Sequence, residues 1–233
     1  MTMVGTGGIA TTLHERGARS WEAAVAHPMV RAIGDGTLPH ETFRRYFEQN
    51  ILYLEEYARA IALIVGKAPD REALALLTAF QSHIVENEIP ANLRFLERLG
   101  GTSNAAAGRG AMHPTTYAYT RHLLGVCALG DAAEGLTAVL PCQWSYGELA
   151  RPLMAHRPDD EIYADWIGMF GNDEYDEMVG RTTALLDRIV GVGDERRVAA
   201  LAEIFDRSTR YEAAFWDMAY RGSSEASVER GGT

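Results

Sequence analysis

Three residues in this chain occupy positions where a packed core has no use for them. Glu212 interrupts an apolar stripe, Val198, Leu201, Phe205, Ser208, Glu212, Phe215 and Ala219, whose steps of three and four trace one helix face. A carboxylate on such a face either finds a buried arginine or tyrosine partner or keeps its proton. In a pocket, the second case makes an acid/base group. Spacing alone favours the structural pair, since such pairs also perturb carboxylates. Asn50 holds the same kind of position among Phe43, Phe47, Leu54, Tyr57, Ile61 and Ile64, with Tyr53 three residues further on the same face. Its amide offers two donors and an acceptor, which suits a heterocycle edge or, more simply, the fixing of helix register. Cys142 directly follows Pro141 inside a helical run, and Tyr146 lies one turn beyond it. A lone cysteine is usually an inert core residue. Cys127, beside a plain apolar stripe near a helix end, is read that way. Tyr117 and Tyr119 open another helix, although aromatic residues at helical spacing more often fill cores than line sites.

These side chains need rigid elements to hold them, and the periodicity supplies only helices. Apolar residues recur at three and four, and no run of alternating β-branched residues occurs. Pro39, Asp70, Pro114, the capping-box pair Asp131 and Glu134, and Asp194 mark helix starts. Gly100-Gly101, Gly130, Gly171 and Gly191-Val192-Gly193 mark stops. One further stripe runs Leu74, Leu77, Phe80, Ile84, Ala91 and Phe95, with Pro90 inside it; Pro90 and Pro141 should both distort their helices. The expectation is an all-α fold, a single-domain helical bundle of about eight helices over residues 20–221. Residues 1–19 are expected as a flexible N-terminus and 222–233 as a disordered tail.

Composition narrows the function. The chain has 233 residues, with 22 Lys+Arg against 32 Asp+Glu and a formal net charge of −10. This balance argues against tracking a phosphate backbone, so no nucleic-acid partner is expected. Two cysteines make no disulfide framework and fit a reducing cytoplasm. No apolar run approaches the roughly 20 residues of a membrane helix, and the first residues carry no leader pattern. Glu-x-x-His, His-Glu-x-x-His, phosphate-binding glycine loops and Gly-x-Ser-x-Gly are all missing. The seven histidines, His14, His27, His40, His83, His113, His122 and His156, are spread singly. No metal and no cofactor are therefore expected.

Several segments, read in order, form a pattern. They are His27-Pro-Met-Val-Arg-Ala-Ile-Gly-Asp-Gly-Thr-Leu-Pro39, Phe43-Arg-Arg-Tyr-Phe-Glu-Gln49, Thr116-Tyr-Ala-Tyr-Thr120, Leu140-Pro-Cys-Gln-Trp144, Trp166-Ile-Gly168 and Tyr211-Glu-Ala-Ala-Phe-Trp-Asp-Met-Ala-Tyr220. Together they resemble the TenA (thiaminase II) family, in its cysteine-containing form, over residues 20–221. The resemblance implies a haem-oxygenase-like bundle without haem, assembled as a homotetramer. It also implies hydrolysis of aminopyrimidines at the exocyclic methylene, in thiamin salvage. Carried onto this chain, it makes Cys142 the nucleophile toward the pyrimidine ring and Glu212 the acid/base that binds the ring edge and handles the leaving-group proton. Asn50, Tyr53, Tyr119, Tyr146 and Phe170 become substrate-binding residues. Two positions depart from the family pattern: Asn50 stands where an Asp is usual, and Phe170 where a Tyr is usual. The first lacks a carboxylate toward the pyrimidine and the second a hydroxyl near the cysteine, so a preference for a modified pyrimidine is expected. The competing readings are an oxidase of the same fold using a metal or cofactor, and a non-catalytic pyrimidine-binding or regulatory protein.

Overall fold

A computed structural model describes residues 7–102, 112–191 and 194–222. Among the described residues every regular element is helical: α1 (Ile9–Arg16), α2 (Ala18–Val25), α3 (Pro28–Gly34), α4 (His40–Val65), α5 (Arg71–His83), α6 (Ile89–Arg98), α7 (Pro114–Leu129), α8 (Ala132–Leu153), α9 (Glu161–Phe170), α10 (Asp173–Val190) and α11 (Glu195–Arg221). A π-helical turn, Ile84–Glu88, joins α5 to α6, and a short 3₁₀ turn, Met154–His156, follows α8.

Local chemistry sets the boundaries. The Asp70 side chain accepts from the Ala73 N–H at 2.8 Å to cap α5. Asp131 and Glu134 form the reciprocal capping box of α8. Asp194 caps α11 through the Arg197 N–H at 2.7 Å. Pro114 takes the first position of α7, where its missing N–H costs nothing.

Helices α4, α7, α8 and α11 form the centre, and each packs against the other three. The stripe of α4 is buried throughout, from Phe43 to Ile64, and so is that of α11, from Val198 to Ala219. Apolar burial at roughly 25 cal/mol per Å² is what holds these four helices together. The remaining helices wrap this centre, with α5 and α6 against α4, α9 and α10 against α8, and α1 and α2 against α11.

Two expectations need correction. Part of the segment expected to be flexible, residues 9–16, is helix α1, with Ile9, Ala10 and Leu13 buried. Its first turn is tied to α10 by the Ala10 N–H, which donates to Asp187 Oδ1 at 2.8 Å. Gly8 allows this approach, because a Cβ there would lie 1.9 Å from Asp187. Leu74, assigned to a buried stripe, is 45% exposed, and Ala73 faces inward instead. The expected tail beyond Gly222 lies outside the described residues.

Candidate active site

The four central helices each bring one part of a polar cluster into the core. Helix α4 contributes Asn50 and Tyr53, α7 Tyr119, α8 Cys142 and Tyr146, and α11 Glu212. Glu212 is 3% exposed. Its Oε1 accepts a short hydrogen bond from the Tyr119 hydroxyl, and the Cys142 thiol is its second hydrogen-bond partner. No cation pairs with it among the described residues. Burial therefore dominates and pushes its carboxyl up to about 7, while the Tyr119 and Cys142 contacts restrain the rise. Near neutral pH, both the acid and the carboxylate are populated.

Cys142 is in the complementary state. Protein surrounds its thiol, and burial pushes it well above the usual thiol range; the charges of Glu212 and of Glu88 add to that rise. Yet the residue is only half-buried. Such a thiol is not a standing thiolate, so its activation requires a base at hand. Of the two routes open to it, a lowered pKa or an adjacent base, this geometry has the second.

The tyrosines form the walls. Tyr53 stacks between Tyr57 at 5.4 Å and Tyr119 at 4.9 Å. Its buried hydroxyl lies against the Tyr119 hydroxyl and the Cys142 thiol without completing a well-formed hydrogen bond to either. Tyr119 stacks on Tyr211 at 5.2 Å. The Tyr146 hydroxyl shares a 2.9 Å hydrogen bond with that of Tyr46, and its ring meets the edge of Phe170 at 4.9 Å. Tyr117, also singled out by its type, is 56% exposed and takes no part.

Asn50 is 4% exposed and is held by a relay that sequence reading missed. Asn92, 1% exposed, donates from Nδ2 to the Glu88 carbonyl at 2.8 Å. A carbonyl can only accept, so the Asn92 Oδ1 is left facing Asn50 and accepts from Asn50 Nδ2 at 2.9 Å. One N–H of Asn50 is thus committed to Asn92, which leaves its second N–H and its Oδ1. A second missed residue is Glu88 itself. Its carboxyl makes no hydrogen bond or ion pair among the described residues, and burial raises it to about 7.

A family model matches residues 14–222, which covers the whole polar cluster. The chain belongs to the TENA/THI-4/PQQC family. Within that family, it is similar to the aminopyrimidine aminohydrolase of Halalkalibacterium halodurans, 33% identical over 215 residues, which cover 91% of this chain and 95% of the relative. Among solved structures, it is similar to a TenA homologue from P. horikoshii, with TM-score 0.83 and 31% identity over 92% of this chain and 99% of that one. A domain with a heme oxygenase-like fold from Shewanella denitrificans aligns with TM-score 0.71 at 13% identity, over 94% of each chain. The fold is therefore haem-oxygenase-like and all-α, as the sequence indicated.

Both missed residues carried a sequence signal. The stripe Leu77, Phe80, Ile84, Ala91, Phe95 skips one step, and the skipped position is Glu88. Asn92 lies one turn after it. The test that singled out Glu212 and Asn50, a polar residue on a buried stripe, applies to Glu88 equally.

Proposed function

We propose that this chain hydrolyses aminopyrimidines at the exocyclic methylene, with Cys142 as nucleophile and Glu212 as its proton partner. The observation that carries the reading is the Cys142–Glu212–Tyr119 cluster: a buried carboxyl at about 7, with no cation partner among the described residues, hydrogen-bonded to a neutral thiol. As the sulfur adds to the pyrimidine ring, Glu212 in its carboxylate form takes the thiol proton. Electron density placed in the ring expels the group on the methylene. The protonated Glu212 gives its proton to the leaving nitrogen as the bond to carbon breaks; water then bonds to that carbon and passes its surplus proton to the Glu212 carboxylate, the carbon–sulfur bond breaks, and Glu212 returns the proton to sulfur. Tyr119 holds the carboxyl in place, and the Tyr53 hydroxyl lies next to the thiol.

Asn50 supplies recognition. With one N–H held by Asn92, the amide can accept through Oδ1 from an exocyclic ring amine and donate through its second N–H to a ring nitrogen or carbonyl, without charge. Phe170 adds an apolar edge beside Tyr146. The donor and acceptor that Asn50 keeps fit a modified pyrimidine as well as an aminopyrimidine. The homotetramer implied by the family resemblance belongs to the same reading.

The test is turnover of an aminomethyl-aminopyrimidine by the wild-type protein and by Cys142→Ser. A serine hydroxyl is a far weaker nucleophile, so a loss of at least about 100-fold with an unchanged circular dichroism spectrum is expected. Undiminished turnover by Cys142→Ser would remove the covalent step.

A further inference from the structure

A cavity of about 790 Å³ opens between the Ile84–Glu88 turn with α5 and α6 on one side and the α9–α10 junction on the other. That volume is in the range of sites for small organic molecules. None of Asn50, Tyr53, Tyr119, Cys142, Tyr146 and Glu212 lines it. Phe170 borders both places: it is in the cavity wall, and its ring meets that of Tyr146 at 4.9 Å. The buried part of the lining is apolar, with Phe80, Ala91, Phe170 and Tyr175. The Phe170 and Tyr175 rings meet at 5.3 Å and 89°. The Tyr175 hydroxyl is turned to the Gln143 carbonyl, to which it donates at 3.0 Å, so Tyr175 gives the cavity its ring rather than its polar end.

The charged lining is of two kinds. Glu86, Arg94, Glu174, Glu177 and Arg181 are exposed, and water screens them. Glu88 is different. Protein encloses its carboxyl, and the side chain lines the cavity. It makes no hydrogen bond or ion pair among the described residues, although two guanidinium groups share its cavity. The Asn92 amide takes the Glu88 carbonyl at 2.8 Å and so anchors the turn that carries the side chain. A carboxylate withdrawn from water costs free energy until a counter-ion meets it. His83, also in the lining, is held below its usual range by burial and supplies no charge near neutral pH. What Glu88 lacks is therefore a cation, and the cavity is where one can reach it.

We propose that this cavity is a second small-molecule site, separate from the cysteine cluster, that takes an organic ammonium ion with an apolar body and uses the Glu88 carboxylate as its counter-ion. The ammonium group donates to Glu88 in a charge-assisted hydrogen bond. The apolar body lies against Phe80, Phe170 and Tyr175, whose ring electrons also attract a cation. A neutral molecule of the same shape forgoes the ion pair. An anion meets four carboxylates, Glu86, Glu88, Glu174 and Glu177, against the guanidinium groups of Arg94 and Arg181. Nothing in this binding requires Cys142 or Glu212.

The probes are cyclohexylammonium and its neutral and anionic counterparts, cyclohexanol and cyclohexanecarboxylate. Titration calorimetry of the full chain at pH 8, where Glu88 is ionised, reads their binding. Wild type should take one cyclohexylammonium per chain, at least about tenfold tighter than cyclohexanol, with cyclohexanecarboxylate weakest. Glu88→Gln keeps the shape of the side chain and removes its charge. It should weaken cyclohexylammonium at least about tenfold with an unchanged circular dichroism spectrum. Glu174→Gln removes the same charge from an exposed position of the lining, and should change the affinity by no more than about threefold. Glu212→Gln should leave it within about twofold, because the ligand lies outside the cysteine cluster. Four results would each overturn the proposal: an unchanged affinity in Glu88→Gln, equal losses in Glu88→Gln and Glu174→Gln, a loss in Glu212→Gln as large as that in Glu88→Gln, or no binding of cyclohexylammonium to wild type up to about 10 mM. Turnover is not measured here, so the outcome is independent of the test of Cys142.

Discussion

Replacing Glu212 by Gln should make the protein more stable above neutral pH while removing its activity. The carboxyl rises from the ordinary 4.5 to about 7 because burial disfavours its charge. In the unfolded chain it ionises near 4.5; in the folded protein it holds its proton until about pH 7. Between these values the folded state binds more protons than the unfolded state, so stability falls as pH rises. At about 1.4 kcal/mol for each tenfold change in the proton equilibrium, ionised Glu212 costs the fold about 3 kcal/mol once pH is above 7. Gln carries no charge at any pH, and its amide oxygen still accepts from Tyr119. Glu88 titrates in the same range but is common to both proteins. Urea unfolding of wild type and Glu212→Gln should therefore nearly coincide at pH 4. At pH 8.5 the variant midpoint should lie about 1 M higher, for a slope of about 3 kcal/mol/M. The assay is run at fixed protein concentration, so that any assembly affects both equally. A difference that does not grow between pH 4.5 and 8 would mean that Glu212 is ionised throughout. The proton-transfer role would then be wrong.

Further outcomes follow from the geometry. Asn50→Asp should raise KM for an aminopyrimidine by about tenfold rather than lower it, because one carboxylate oxygen would face the Asn92 Oδ1, which the Glu88 carbonyl holds in place. A KM at or below that of wild type would show that the relay does not fix the amide. Asn92→Leu frees the Asn50 amide to rotate, and should reduce the kcat/KM preference for an amino over an oxo pyrimidine by about tenfold at unchanged thermal midpoint; an unchanged preference would refute the relay. Cys127, which burial raises to about 12 and which touches nothing in the cluster, should tolerate Cys127→Ser with kcat within about twofold. A large loss there would contradict its packing role.

The sequence made the central scaffold readable because two long helices carry nearly uninterrupted stripes. On α4 and α11 every position assigned to the core is buried, including the two polar ones, Asn50 and Glu212. The capping residues Asp70, Asp131 and Asp194 fixed helix starts to within a residue. The stripe was read incompletely across the π-helical turn at Ile84–Glu88, where Glu88 and Asn92 keep the steps of three and four and were passed over because both are polar. Helix α1 was missed because its packing rests on small residues: Gly8 permits the approach to Asp187, and only Ile9, Ala10 and Leu13 bury apolar surface. The identity of Asn50 was legible, but its orientation was not, since the direction of an amide depends on partners 42 residues away.

The central claim is a bond between Cys142 and the pyrimidine ring, and trapping that bond tests it most directly. Wild-type protein in steady turnover of an aminomethyl-aminopyrimidine is quenched with acid within milliseconds, digested and analysed by mass spectrometry. The account predicts a pyrimidine mass addition on the peptide bearing Cys142, none on the peptide bearing Cys127, and less adduct in Glu212→Gln, where no base takes the thiol proton. Turnover at full rate with Cys142 unmodified at every quench time, together with sustained activity of Cys142→Ser, would contradict it.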